Sequence, residues 1–401
     1  MKRSRKPLAV FCTFVALIVG VLGYVVSMDH SDPSERKNEE SRSIPLLPHD
    51  VAIFGVASSA MDYSAKDLWF QTNENGEFRQ KRLKLNYYPV LTRWTGDRFA
   101  IMKDTDLVVF DHNGEPLNSL PTNIDTAGML KGTRSEDGKY VALLAHSKPR
   151  ALILTDGQRT KAVEHPAEPR SIYVTPDGTA FSMVPNFTRI DKELPEGMCI
   201  FSLSLDSDLS EYCIDLPQGR GISGGVLGMV DGILELFIFW GEQEQMGWSL
   251  YRQNGDSWEL VNEQYTAAYD VEEWGYVEKS FSVKGKMYFL TDKPGLVNSP
   301  FPDENTQELE LSFHPLDDLI TGSKGTYTID GNMINYVFLR DRDLGAGQYL
   351  SAFNIDDPTK RVGPWEIPPE ILRKNGRYTY HAVSSIFILD EKTRKQLGAT
   401  D

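Results

Sequence analysis

Arg170-Ser-Ile-Tyr-Val-Thr-Pro-Asp-Gly-Thr-Ala-Phe-Ser-Met183 constrains this chain more than any other stretch, because it reads as one complete β-hairpin. Ile172 and Val174 alternate with polar neighbours, Pro176-Asp177-Gly178 supplies the turn, and Ala180, Ser182 and Val184 line one side of the returning strand. The pattern returns at Thr95-Gly-Asp-Arg-Phe-Ala, Glu136-Asp-Gly-Lys-Tyr-Val, Val230-Asp-Gly-Ile-Leu, Val283-Lys-Gly-Lys-Met and Ile329-Asp-Gly-Asn-Met. Its turn positions, Asp97, Gly138, Gly178, Gly232, Gly285 and Gly331, are 41, 40, 54, 53 and 46 residues apart. That spacing is close to the ~40–50 residues of a four-stranded propeller blade.

A second series runs out of phase with the first. Asp67-Leu-Trp-Phe-Gln-Thr-Asn-Glu-Asn-Gly76 is echoed by Asp106 to Gly114, Ala151 to Gly157 and Trp248 to Gly255, each an apolar strand ending in a tight Gly turn. Two hairpins per period make four strands, so the expected fold is an all-β propeller of antiparallel four-stranded blades. The expected blades are 51–82, 88–121, 126–166, 170–217, 222–264, 270–319 and 323–369. Seven is the expected number, with eight as the alternative. Strands in the tail, Tyr378 to Val383 and Ile386 to Asp390, would complete the first blade and so remove exposed sheet edges. One short helix is expected at Pro368–Gly376, with Pro at its start and Gly at its end.

Tyr173-Val-Thr-Pro-Asp-Gly-Thr-Ala and Ser135-Glu-Asp-Gly-Lys-Tyr-Val-Ala resemble the hairpins of WD40-like and YVTN-type bacterial propellers. The likeness covers two blades well and four weakly. It implies a toroidal all-β domain and carries no catalytic residue across, because the shared signature is a turn between two strands.

Leu8 to Met28 is a run of 21 residues without a charge, long enough to cross a bilayer core. Lys2, Arg3, Arg5 and Lys6 precede it and Asp29 and Asp32 follow, so residues 1–7 are expected in the cytoplasm and the remainder outside. An uncleaved anchor is favoured over a signal peptide, since Val25-Val26-Ser27-Met28 is a poor cleavage site. Residues 29–50 are polar and without periodicity, which reads as a tether to a propeller over 51–401. Net charge is −15 overall and −19 beyond the apolar run. Such a surface repels phosphate backbones, which excludes nucleic acid as a partner.

By strand alternation, the tight turns share one face of the ring and the other connections share the opposite one. Long connections are expected there at Val184–Gly197, Gly241–Gly247, Lys293–Asn305 and Arg340–Gly347. Loops on a rigid scaffold carry function, so ligand contacts are expected on that face and at the channel mouth, from Tyr87, Tyr88, Arg170, Arg220, Trp240, Trp274 and Tyr276. Packing of the aromatics between blades and pairing of the arginines with acids is the competing reading.

Cys199 and Cys213 are equidistant from Asp206, so a hairpin turning there sets them opposite one another, within disulfide reach; two buried thiols are the alternative. Asp206-Ser-Asp208 and Asp341-Arg-Asp343 alternate carboxylates without the distal Glu of a calcium loop, and the seven histidines have no zinc spacing, so no metal site is expected. Gly221-Ile-Ser-Gly-Gly225 misses the nucleophile-elbow spacing, and neither Gly219-Arg-Gly221 nor Gly345-Ala-Gly347 opens a phosphate-binding helix. No cofactor is expected. Function therefore reads as a membrane-anchored extracytoplasmic scaffold for a protein, peptide or glycan. The alternatives are a propeller hydrolase, lyase or lactonase with an acidic channel mouth, and an accessory subunit of an envelope or signalling complex.

Overall fold

The two ends of the propeller meet in one sheet. In the computed structural model, strand His381–Ile388 pairs antiparallel with Val51–Ala57, which pairs with Lys66–Glu74, which pairs with Glu77–Leu85. The structure describes Leu47 and residues 51–399 except 58–65, 75–76, 86–91, 95–97, 104, 125–129, 146–148, 168–170, 186–196, 218–219, 243–244, 267–276, 292–294, 317–325, 340–347, 368–372, 375–376 and 379–380. The expected membrane segment 8–28 lies outside the described residues. Among those described, no helix is long and apolar enough to cross a membrane.

Seven four-stranded antiparallel sheets are present among the described residues. Numbered from the chain start, blade 1 is the sheet shared by the two ends, and blades 2 to 7 span 92–121, 130–164, 171–215, 220–266, 277–315 and 326–366. In blades 2 to 7 the strand order follows the sequence, so each is a meander built from the two hairpin series. The first strand of each is innermost. Leu130–Arg134 touches Thr92–Trp94 and Ser171–Val174, and Arg220–Val230 touches Ser171–Val174 and Val277–Val283. His381–Ile388 supplies the inner strand of blade 1 and lies against Thr326–Asp330 of blade 7.

The turns adopt the backbone that their glycines suit. Gly138, Gly178, Gly232, Gly285 and Gly331 all have φ between 60° and 87°. At Gly178 a Cβ would also strike the Tyr140 ring of the preceding blade, 2.5 Å away. Blades then pack face to face through apolar layers. Phe181, Met183 and Ile200 of blade 4 meet Leu236, Ile238 and Trp240 of blade 5, and Phe237 and Phe239 on the other side of blade 5 meet Phe289 of blade 6. Burying one such aromatic removes ~150–250 Å² from water. At about 25 cal/mol per Å² that is worth roughly 4–6 kcal/mol. Leu47 is buried with Met333, Val337 and Leu350 of blade 7, so the compact unit, Pro45–Asp401, takes in the end of the stretch read as tether.

Three local expectations are corrected. The segment expected to be helical contains Arg373–Lys374 as a strand paired with Arg377–Tyr378, because Asn375-Gly376 between them favours a two-residue hairpin over a helix stop. The helix is instead Glu391–Leu397, which follows the closing strand. Asp390 caps its start by accepting from the Thr393 amide at 2.7 Å, and Gly398 ends it in the left-handed region. Gly241–Gly247 is not a long loop, since the strands continue to a Glu242–Gln245 pair. Lys293–Asn305 is not one either, because Gly295–Pro300 is a strand; the long connection is 301–311, on the face of the tight turns. In both cases polar residues late in a strand resemble loop composition.

Candidate ligand-binding channel

The inner strands enclose a central cavity of about 730 Å³. Its described lining includes Arg93, Lys131, Arg134, Lys279 and Lys284 as basic groups, and Glu136 and Asp330 as acids. Five cations against two carboxylates is the reverse of the balance of the whole chain.

The inner strands hold these residues at two levels. Arg134 and Asp330 are the last residues of Leu130–Arg134 and Thr326–Asp330, just before the tight turns. There Asp330, its side chain fully buried, takes Arg93 Nη1 at 2.8 Å, Arg394 Nη1 at 2.7 Å and Arg134 Nη2 at 3.4 Å. Arg394 comes from the Glu391–Leu397 helix and also donates to the Ile388 carbonyl at 3.2 Å. One carboxylate thus ties blades 2, 3 and 7 to the C-terminal helix. Burial by itself would raise the Asp330 carboxyl, but the Arg93, Arg394 and Arg134 guanidiniums outweigh it and hold the group below its ordinary value. At the same end Glu136 Oε1 accepts from the Lys284 amide at 3.0 Å, joining blade 3 to blade 6.

Lys131 and Lys279 lie near the starts of their strands, toward the opposite face. They stand on blades 3 and 6, three positions apart around the ring. Solvent reaches the Lys279 ammonium along the channel, but the ring surrounds it, and this enclosure followed by the charge of Lys131 lowers its pKa to about 8. Its hydrogen-bond partner is the Tyr327 carbonyl at 3.5 Å, on blade 7. Close approach of the strands is needed here: a Cβ on Gly132, beside Lys131, would collide with the Thr92 hydroxyl of blade 2. Ser280 Oγ donates to the Gly225 carbonyl at 2.8 Å and fixes the blade 5 to blade 6 seam.

Of the contacts expected from sequence, Tyr87, Tyr88, Arg170, Trp274 and Tyr276 lie outside the described residues. The structure brings Arg220 and Trp240 together within blade 5. The Arg220 guanidinium sits 3.8 Å from the Trp240 ring centroid, its Nη1 is 2.7 Å from Glu263 Oε2, and its Nη2 donates to the Tyr265 hydroxyl at 3.3 Å. Trp240 is fully buried and donates through Nε1 to Ser249 Oγ at 2.8 Å. Both side chains are therefore occupied by their own blade. Cys199 and Cys213 are directly opposed across Gly197–Ser204 and Ser210–Asp215 and form a disulfide.

Other chemistry-bearing clusters are accounted for by packing. Cys199, Glu211 and Cys213 form the grouping of possible metal ligands among the described residues, and both sulfurs are committed to the disulfide. His165 Nε2 is 2.8 Å from Ser182 Oγ, as in a base and nucleophile pair, but the residues are 5% and 0% exposed. Nδ1 of His165 lies 2.8 Å from the Ala167 carbonyl, so the pair is an interior hydrogen-bond link.

No protein-family model and no curated protein matches the chain. Solved structures do resemble it. A gluconolactonase from Xanthomonas campestris is 13% identical, with 74% of this chain and 95% of that one covered and a TM-score of 0.37. For a putative 6-phosphogluconolactonase from Bacteroides fragilis the figures are 12% identity, 82% and 98% coverage, and a TM-score of 0.43. For the C-terminal WD40 domain of Sif2 they are 13%, 77% and 79%, and 0.43. The β-propeller that the hairpins resemble in sequence is the architecture of the chain.

Proposed function

We propose that the protein is a membrane-anchored, extracytoplasmic β-propeller that binds a ligand at its channel and loop-rich face without transforming it. The observation that carries this reading is the composition of the channel wall. A hydrolase, lyase or lactonase of this architecture would need carboxylates or histidines converging on a substrate or metal. The described lining has two carboxylates, and both have partners: Asp330 binds three arginines, and Glu136 accepts from the Lys284 amide. The remaining wall is hydroxyl, apolar and cationic, which suits binding and orientation of a ligand.

Anchoring rests on the 21-residue uncharged run, 8–28, with basic residues on one side and acidic residues on the other. A polar stretch between that run and the compact unit would set the propeller off the membrane, where a protein, peptide or glycan meets it. A role as an accessory subunit of an envelope or signalling complex is compatible with the same placement.

Two measurements test the reading. Alkaline extraction should leave the full-length protein in the membrane fraction, and protease added outside intact cells should release the propeller; a wholly soluble or protected protein contradicts the placement. Lactones, esters and glycosides should remain intact on incubation with the purified protein. Turnover that disappears in Glu136→Gln would contradict the scaffold.

A further inference from the structure

We infer that the channel binds an extended polypeptide segment, taken up as an added strand along the loop-face half of the inner strand of blade 5, residues 220–224. The inference rests on the proposed reading of the channel as a binding site and deepens it by naming the partner's chemistry.

Three observations lead there. First, Arg220–Val230 runs for 11 residues, whereas the inner strands of the other blades have 3 to 8. It pairs with one neighbour, Ile233–Glu242, so its other edge turns backbone groups toward the channel. Second, neighbouring blades cap that edge in its tight-turn half. The Gly225 carbonyl accepts from Ser280 Oγ at 2.8 Å, the Leu227 carbonyl accepts from Ser282 Oγ, and the Met229 amide donates to the Tyr173 hydroxyl at 3.3 Å. Among the described residues no side chain does the same for Gly221, Ile222 or Gly224, and a bulge between Ile222 and Gly224 takes Ser223 out of the ladder. Third, the glycines of this strand divide in the same way. A Cβ on Gly225 would lie 3.3 Å from Met198 Cε and from the Phe237 carbonyl, and one on Gly228 would lie 2.7 Å from the Phe301 ring, so packing accounts for both. No described atom lies within 4 Å of a Cβ on Gly221 or Gly224, and neither has a left-handed backbone. Glycine inside a strand lowers stability relative to alanine, and at these two positions packing gives no reason for it. What it leaves is a stretch of wall without side chains, which another backbone can approach closely.

The cavity suits an extended chain better than a glycan or a folded partner. Gly224 and Ile222 line it, and its volume of about 730 Å³ lies within the ~300–1,000 Å³ usual for small-molecule sites, room for a few residues. Aromatic rings of the lining that a sugar could stack on are packed on rings of their own blades, Phe281 on Tyr288 with centroids 5.4 Å apart and Tyr327 on Tyr336 at 4.3 Å. Backbone donors and acceptors are what the blade 5 wall offers, and main-chain pairing is how an exposed strand edge holds an extended peptide.

The test is selection from a random heptapeptide library displayed on phage, against full-length protein in an uncharged detergent, followed by calorimetry with the selected peptide after synthesis. Peptides should be enriched on the wild type. Methylating alternate backbone nitrogens of the selected peptide removes donors and keeps its side chains, and one of the two alternations should weaken binding tenfold or more. Gly224→Val should also weaken it tenfold or more and melt no lower than wild type, since its side chain meets open space and valine suits a strand. Gly228→Ala, set against Phe301, should melt lower. Were Gly224→Val to misfold, the two methylated peptides would decide on the wild type alone. Failure to enrich any peptide, unchanged affinity of both methylated forms, or unchanged affinity in a folded Gly224→Val would overturn the strand site. Binding of maltotriose with no peptide enriched would overturn it while leaving the scaffold standing, whereas cleavage of the selected peptide would remove the scaffold itself.

Discussion

Two levels of the same channel gather positive charge, and they differ in what stands opposite it. At the tight-turn end three guanidiniums converge on the buried Asp330 carboxylate, a counter-charge supplied by the chain itself. Nearer the loop face, enclosure by the ring followed by the charge of Lys131 lowers the Lys279 pKa to about 8. The first arrangement holds blades and the C-terminal helix together. The second leaves Lys279 exposed to the channel, with the charge of Lys131 adding to the effect of enclosure on its ammonium.

The largest expected effect comes from removing the built-in counter-charge. Asp330→Asn takes the shared carboxylate from the buried Arg93 and Arg394 and the partly buried Arg134, so chemical denaturation should show a loss of about 3–5 kcal/mol, the range for breaking a buried ion pair. A loss under about 1 kcal/mol would dissolve the distinction between the two levels. Acid should act on the same group. Because the folded carboxyl lies below its ordinary value, its contribution is present above the unfolded carboxylate pKa of ~3.9 and is lost as pH falls through the folded value. Denaturation midpoints should therefore drop below about pH 4 in the wild type and drop less in Asp330→Asn.

A change far from the channel sharpens the comparison by affecting stability alone. The Cys199–Cys213 disulfide closes a short loop, with a sequence separation of 14, at the outer edge of blade 4. Replacing both cysteines with Ser should cost about 3 kcal/mol on the loop-entropy account. Affinity for the channel ligand should stay unchanged, and coupled losses would mean the blade edge and the channel are not independent.

The smallest effect has the opposite sign. Lys279→Met should raise the thermal midpoint modestly, since it removes an enclosed like charge. The wild-type penalty is full below about pH 8 and fades as pH rises from there toward the ordinary lysine value of 10.5, where the unfolded chain binds more protons than the folded one. The gap between variant and wild type should therefore narrow over that interval. A Lys279→Met protein less stable than wild type at pH 7 would show that the lysine has a structural role.

Much of this architecture was legible in the chain. Hairpins ending in Asp-Gly or Lys-Gly fix four strands per period, because the turn backbone suits glycine and alternation sets the strand faces. The same logic placed the closing strand in the first blade. Loop composition misled where strands end in polar residues, as at Glu242 and Gln245, which pair instead of looping. The C-terminal helix was overlooked although Asp390 and Gly398 bracket it, since a seven-residue element has too few apolar positions to show a period.

The channel was legible too, from a feature that aromatic and loop residues obscure. Blades 2 to 7 each begin with their innermost strand, so Arg93, Lys131, Arg134 and Lys279, each on the first strand of its repeat, are channel residues once the repeats are aligned. Asp330 precedes a turn glycine like other acids in these hairpins, and nothing local separates it from them. Its role arises from residues 237 and 64 positions away, Arg93 and Arg394, which only ring closure brings to it.

The most direct test of the difference between the two levels is the ionisation of Lys279 itself, followed by NMR of isotope-labelled lysine side chains, assigned with Lys279→Arg, in the wild type and in Lys131→Gln. A midpoint near 8 in the wild type that moves upward when the Lys131 charge is removed is the predicted result. A midpoint near 10.5 in both samples would mean that Lys279 is an ordinary solvated lysine and that the two levels of the channel do not differ in this way.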